Sequence, residues 1–200
     1  MNKKQTALSK TGNKDKTKKL AITGMLGAVS IMLSLTPLGY LPLGFFSVTT
    51  MHIPVIIAAI LEGPIVGGAV GLIFGVTSLA KHFMAPQPIS FIFWNPLISV
   101  LPRVLIGVLS YYFYRLLYNL TGKDKLTYFA TGIFGTFVNT FFVLGGAYVL
   151  YAKGLVEKFQ LTTGAGVFLL GIAVKNGIPE MLISAIITVS VVIAIKKIKK

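Results

Sequence analysis

Thr127-Tyr-Phe-Ala-Thr-Gly-Ile-Phe-Gly-Thr-Phe-Val-Asn-Thr-Phe-Phe-Val-Leu-Gly-Gly-Ala-Tyr-Val-Leu150 is a run of twenty-four residues without a charged side chain. At about 1.5 Å of helical rise per residue it covers the ~30 Å hydrocarbon core of a bilayer, so it reads as a membrane-spanning helix. The one amide in it is Asn139. The pattern repeats on either side: Trp94–Leu117 is apolar around Arg103, and Ala165–Ile195 is apolar around Glu180. Upstream lie three more apolar segments, Leu20–Leu35, Thr49–Leu61 and Ile65–Ala80, the second of them short for a full crossing. The sequence therefore predicts an all-α integral membrane protein, a compact bundle of six transmembrane helices in one domain.

Composition agrees. With 54% apolar and 12% charged residues the chain is too apolar for an ordinary soluble domain. It has no cysteine, which excludes disulfides, thiolate metal sites and cysteine nucleophiles. The formal charge of +14 is explained by its location: seven lysines lie in Met1–Lys19, four in Lys196–Lys200, Arg115 at the inner end of the fourth segment, and Lys123 and Lys125 between the fourth and fifth. All of these fall on one side if both termini are cytoplasmic, as the positive-inside rule requires. The basic excess thus reports topology in the cell membrane, with anionic headgroups rather than nucleic acid as its neighbours. Residues 1–19 read as a disordered basic cytoplasmic tail and residues 20–200 as the six-helix transmembrane domain. The first apolar run exceeds a usual signal-peptide core and lacks a clear cleavage site, so it reads as a retained helix.

The loops on the outer side are unusual. Thr36-Pro-Leu-Gly-Tyr-Leu-Pro-Leu-Gly44 and His82–Phe93 are proline-containing and apolar, as loops that cover something are. Gly67, Gly71 and Gly75 recur every four residues, giving the third helix a small face for close packing. Counting from the inner helix ends places Arg103 about 21 Å, Glu180 about 22 Å and Asn139 about 18 Å above the inner boundary, one layer in the outer half of the membrane. Asn176 lies one turn from Glu180 on the same face, and Lys175 near the outer boundary. Asn95 and Trp94 head the fourth segment, and His52 lies near the outer end of the second.

Each of these has a structural explanation. Arg103 and Glu180 fit a buried ion pair, Asn139 and Asn176 fit interhelical hydrogen bonding, Trp94 an interfacial belt, Lys175 a boundary anchor and His52 a core histidine. Glu62 and Lys81 sit at turns and need no functional account. Together, however, polar groups from three helices meet at one depth beneath two apolar loops, beside the aromatic residues Phe91, Phe93, Trp94 and Tyr148. That is the constitution of a small-molecule pocket. Only one carboxylate is intramembrane, which excludes a proton path, and no metal-ligand or nucleophile motif is present. The reading is a binding protein, with no enzymatic activity, cofactor or metal.

At this point the chain resembles an S component of the energy-coupling factor (ECF) vitamin transporters, over Leu20 to Lys197. The resemblance is carried by the six-helix count, the small-residue run Leu20-Ala-Ile-Thr-Gly-Met-Leu-Gly-Ala28, the run Met51-His-Ile-Pro-Val-Ile-Ile-Ala-Ala-Ile-Leu-Glu-Gly-Pro64 and the run Leu101-Pro-Arg-Val-Leu-Ile-Gly107. It implies a subunit that captures a vitamin outside and releases it inside after docking on a membrane scaffold subunit driven by two cytoplasmic ATPases. The family's Ala-x-x-x-Ala docking motif maps to Gly24 and Ala28, with Ala21 nearby; glycine in the first position keeps the close approach. The His-Ile-Pro and Pro-Arg runs are most similar to the pantothenate type. For that ligand the carboxylate wants Arg103 or Lys175, and its hydroxyls and amide want Asn95, Asn139, Asn176 and Glu180. A pyridoxine or hydroxymethylpyrimidine-type ring, stacking on Trp94, Phe91 and Tyr148, is the alternative within the family. An uncoupled small channel or a non-transporting scaffold is the alternative outside it.

Overall fold

A computed structural model of the chain describes residues 3–42 and 47–198, with side chains for 15–39 and 49–198. Helix α1 (Lys3–Leu35) runs back through the basic segment. Lysine and glutamine extend a helix readily once the apolar part has nucleated it. A 3-10 turn (Pro37–Gly39) follows. The outer loop then folds into an antiparallel pair, β1 (Tyr40–Pro42) and β2 (Ser47–Thr49), with Tyr40 opposite Thr49 and Pro42 opposite Ser47. This short hairpin is a local feature of a chain that is otherwise helical, as expected. Leu43 and Gly44, which end the expected loop, and Lys200, an expected cytoplasmic marker, lie outside the described residues.

Helix α2 (Ile53–Glu62) has ten residues, about 15 Å of rise, so the second expected span is only half a bilayer long. All residues from Ile53 to Ile60 are buried, which makes it a core helix rather than a lipid-facing one. Gly63, at φ +95°, reverses the chain where other residues would be strained, and Pro64 opens α3 (Pro64–Met84) at a position that needs no N–H. Among the described residues five helical stretches are long and apolar enough to cross a membrane: Asp15–Leu35, Pro64–Met84, Pro96–Thr121, Asp124–Phe159 and Gly164–Ile198.

The end of the expected His82–Phe93 loop is helical, α4 (Ser90–Phe93), and prolines break the fourth segment into α5 (Pro96–Ser99) and α6 (Leu101–Thr121). Pro102 leaves the Ile98 carbonyl without its helical donor, and the Arg103 guanidinium takes it at 2.6 Å. Helix α7 (Asp124–Phe159) bends at Tyr151 and runs nine residues beyond the expected Leu150, absorbing most of the expected outer loop. Helix α8 (Gly164–Ile172) leads through a π-helical turn (Ala173–Gly177) into α9 (Ile178–Ile198). Pro179 cannot donate to the preceding turn, which accounts for the widening just before it.

The glycine face of α3 decides where α6 lies. A Cβ on Gly71 would run into the Arg103 backbone, and one on Gly107 into Gly67. This close crossing fixes the root of Arg103. Two apolar clusters complete the core. One surrounds α2 and includes Phe74; the other joins α5, α7 and α8 and includes Val143. At the opposite end of the bundle Lys196 ties α9 to α7, its Nζ donating to the Tyr128 hydroxyl and lying 3.9 Å from Asp124.

Candidate functional site

Between the two apolar clusters lies a polar cavity of about 170 Å³, walled by α3, β2, α6, α7, the π turn and the start of α9. The shortness of α2 creates it: a second helix of full length would occupy this depth, and the β2 segment with Thr49 and Met51 stands there instead.

One wall is cationic. Arg103 is buried, bonded to the Ile98 carbonyl, and lies 5.4 Å from the Phe74 ring and 5.5 Å from that of Phe93. Such aromatic neighbours stabilise a guanidinium by cation–π attraction while restricting its rotamers. His82 stacks on Phe93 at 4.4 Å with the planes 6° apart. Its Nδ1 shares a hydrogen bond with Ser90 Oγ (2.8 Å), which also accepts from the Gln87 N–H (2.7 Å), and its carbonyl accepts from Trp94 Nε1 (3.0 Å). Lys81 and Gln87 line the cavity beside it. The outer loop between α3 and α4 is thereby stitched to the cationic wall.

The facing wall carries amides, hydroxyls and one carboxylate: Asn139, Thr140, Asn176, Glu180 and Thr49. Glu180 Oε1 accepts from both the N–H and the hydroxyl of Thr49, each at 2.8 Å, which ties the β pair down over the cavity. The carboxylate of Glu180 therefore takes two hydrogen bonds from the hairpin. The Asn139 amide oxygen is buried with no hydrogen-bond partner among the described residues. A buried, unsatisfied amide in a native fold calls for an explanation, and at a cavity wall a ligand donor supplies one. Val143, Leu144 and Ile172 provide apolar surface between the two walls.

Of the residues singled out from the sequence, Arg103, Asn139, Asn176 and Glu180 meet here, as does Phe93. Others are engaged elsewhere. Asn95 caps α5, accepting from the Leu97 N–H at 3.0 Å and reaching Tyr151 at 3.4 Å. Trp94 stacks on Phe83, and Phe91 meets Tyr151 edge-on. Tyr148 is exposed on the opposite, apolar side of α7, and Lys175 is exposed on the π turn outside the lining. His52 is buried at the head of α2, its Nε2 2.9 Å from Thr136 Oγ1. Thr136 donates its own proton to the Gly132 carbonyl, so His52 is the donor in that pair.

Thr49, Ser78, His82, Gln87 and Thr140 also line the cavity, as does Lys81, whose place at a turn gave no reason to expect it there. A signal did exist for Lys81: Phe74, Ser78 and Lys81 stand at i, i+4 and i+7, one face of α3. On α1, Ala21, Gly24 and Ala28 are all exposed, and a Cβ on Gly24 would meet nothing within 4 Å. Gly27, by contrast, packs inward against Ile73.

Comparison with known proteins agrees with this architecture. Residues 18–192 match the family model described as ECF transporter, substrate-specific component. The chain is 30% identical over 200 aligned positions to the pantothenic acid transporter PanT of Lactococcus lactis subsp. cremoris, covering 92% of this chain and 96% of the relative. It is 38% identical over 101 positions to the pantothenate transporter PanT of Leuconostoc mesenteroides subsp. mesenteroides, covering 48% of this chain and 50% of the relative. A multi-pass helical membrane protein that encloses a polar cavity and is matched by this family over residues 18–192 belongs to the substrate-specific components of the ECF transporters.

Proposed function

We propose that this chain captures pantothenate outside the cell and hands it to an ECF scaffold subunit. The observation that carries the reading is the cavity's two-sided chemistry, seen alongside relatives named as pantothenate transporters. Pantothenate is an elongated anion with a carboxylate at one end, an amide in the middle and a dimethyl diol at the other. Its carboxylate faces Arg103 and Lys81. Its hydroxyls and amide face Asn139, Thr140, Asn176 and Glu180, and its methyl groups rest on Val143, Leu144 and Ile172. A guanidinium already fixed by aromatic neighbours loses little freedom on binding a carboxylate. The ring-vitamin alternative relies on Trp94, Phe91 and Tyr148, none of which lines the cavity.

In this reading α2 and the β pair together make up the second of six passes, and both termini are cytoplasmic. The exposed Ala21, Gly24 and Ala28 on α1 form the face that meets the scaffold, with the two ATPases bound to that partner. A native mass spectrum of the gently purified full chain tests the ligand. A bound mass equal to pantothenate supports the reading; a different vitamin, or none after growth on added pantothenate, refutes it.

A further inference from the structure

His82 is fixed from three sides. Its ring lies flat on Phe93, Ser90 Oγ meets its Nδ1, and Trp94 Nε1 donates to its carbonyl. Ser90 is fully buried, and its oxygen already accepts from the Gln87 N–H. The serine proton therefore has one acceptor among the described residues, the Nδ1 of His82. With the bond reversed, that buried proton would have no partner, which native interiors avoid. The bond made by one ring nitrogen of a histidine decides which nitrogen carries the proton. Nδ1 accepts, so neutral His82 carries its proton on Nε2. That N–H makes no hydrogen bond among the described residues, and His82 lines the polar cavity together with Lys81, Phe93 and Arg103.

The same aromatic ring serves the guanidinium. Phe93 lies 4.4 Å from the imidazole and 5.5 Å from the guanidinium carbon of Arg103, so at most about 10 Å separates the two groups. Gly71 meets Arg103 and Gly75 meets Val100, so α3 and α6 run in opposite directions. Helical side chains lean toward the N-terminus of their own helix, which tilts His82 and Arg103 toward one another. We propose that the Nε2–H of His82 donates to the ligand carboxylate held by Arg103, and that His82 thereby helps to select carboxylate ligands; this rests on the pantothenate reading above. A carboxylate offers about four lone pairs, enough for this donor beside Arg103 and Lys81. An ionised acceptor makes a hydrogen bond about twice as strong as a neutral one, so the contact favours a carboxylate over a hydroxyl. A neutral donor supplies that bond without adding a third cation to the wall.

The test compares two substitutions that divide the histidine's properties. His82→Phe keeps a flat ring on Phe93 and removes the N–H, whereas His82→Gln supplies an amide N–H and removes the ring. Calorimetry on the purified full chain is expected to show pantothenate binding about tenfold weaker in His82→Phe and at most about threefold weaker in His82→Gln. Pantothenol, which has a hydroxymethyl group in place of the carboxylate, is expected to lose at most about threefold in His82→Phe. Equal losses for the two ligands, or a greater pantothenate loss in His82→Gln than in His82→Phe, would make His82 a prop for Phe93 and overturn the donor. His52 and His82 are the two histidines of the chain, so isotope-labelled histidine gives two ring systems by nitrogen NMR, and His82→Phe identifies which is which. The ligand-free protein is expected to show His82 protonated on Nε2, with that resonance moving when pantothenate is added. Protonation on Nδ1, or no movement, overturns the proposal. A wild type that binds no pantothenate refutes the proposed function and this contact together, whereas equal binding by the wild type and His82→Phe overturns the role of His82 alone.

Discussion

Pro102 and Arg103 work as a unit. The proline frees the Ile98 carbonyl, the neighbouring guanidinium takes it, and the same arginine lines the cavity. Arg103→Ala thus removes a cation and strands a carbonyl together. Loss of one partner from a desolvated charge contact typically costs about 3–5 kcal/mol, so pantothenate affinity should fall by roughly two to four decades at ~1.4 kcal/mol per decade, with a lower unfolding temperature. Lys81 is half-buried, so Lys81→Ala should weaken binding by about one decade and leave thermal stability near the wild type. Calorimetry and a thermal-shift assay on both variants check the split; equal losses of affinity and stability in the two would refute it. Arg103, Asn139, Asn176 and Glu180 were legible in the sequence because a polar group in hydrocarbon is costly and so stands out. Lys81 and His82 were not, because lysine or histidine at a helix end near the membrane surface has an ordinary explanation in snorkelling.

At the scale of elements, the hairpin and α1 carry separate tasks. β2 is held to α9 through the two Thr49–Glu180 hydrogen bonds. Thr49→Val removes the hydroxyl bond and keeps the backbone one, a change of about 0.5–1.5 kcal/mol. Pantothenate should then dissociate about three- to tenfold faster, as stopped-flow chase with unlabelled ligand would read; an unchanged rate would mean that the hairpin does not retain the ligand. On α1, Gly24→Trp and Ala28→Trp place bulk on an outward face that packs against nothing in the subunit. Uptake by whole cells should be abolished while the isolated subunit still binds, and surviving uptake would put the docking face elsewhere. Helix positions were largely legible from apolar periodicity and length. What was not legible has definite causes. α7 continues past its apolar run because Tyr151–Phe159 turns amphipathic, with Lys153 and Glu157 at i, i+4. α2 is half a span because its outer half is replaced by a β pair whose two three-residue strands are too short for alternation to announce them.

At the scale of the whole molecule, the proposed six-pass topology puts both lysine-rich ends on one side of the membrane. The chain has no cysteine, so single cysteines report directly. Pro86→Cys and Lys153→Cys should react with an impermeant thiol reagent in intact cells, whereas Lys3→Cys and Lys200→Cys should react only after lysis. The reverse pattern would invert the bundle and put the cavity on the wrong side for capture. The central claim is that a cationic wall and an amide wall together select pantothenate. It is tested most directly by calorimetric titration of the purified chain with pantothenate and with pantothenol, which differs only in having a hydroxymethyl group where the carboxylate stands. Saturable one-site binding of pantothenate is expected, with at least about a hundredfold weaker binding of pantothenol, ~2.7 kcal/mol. Equal affinity for the two, or no binding of pantothenate, would contradict it.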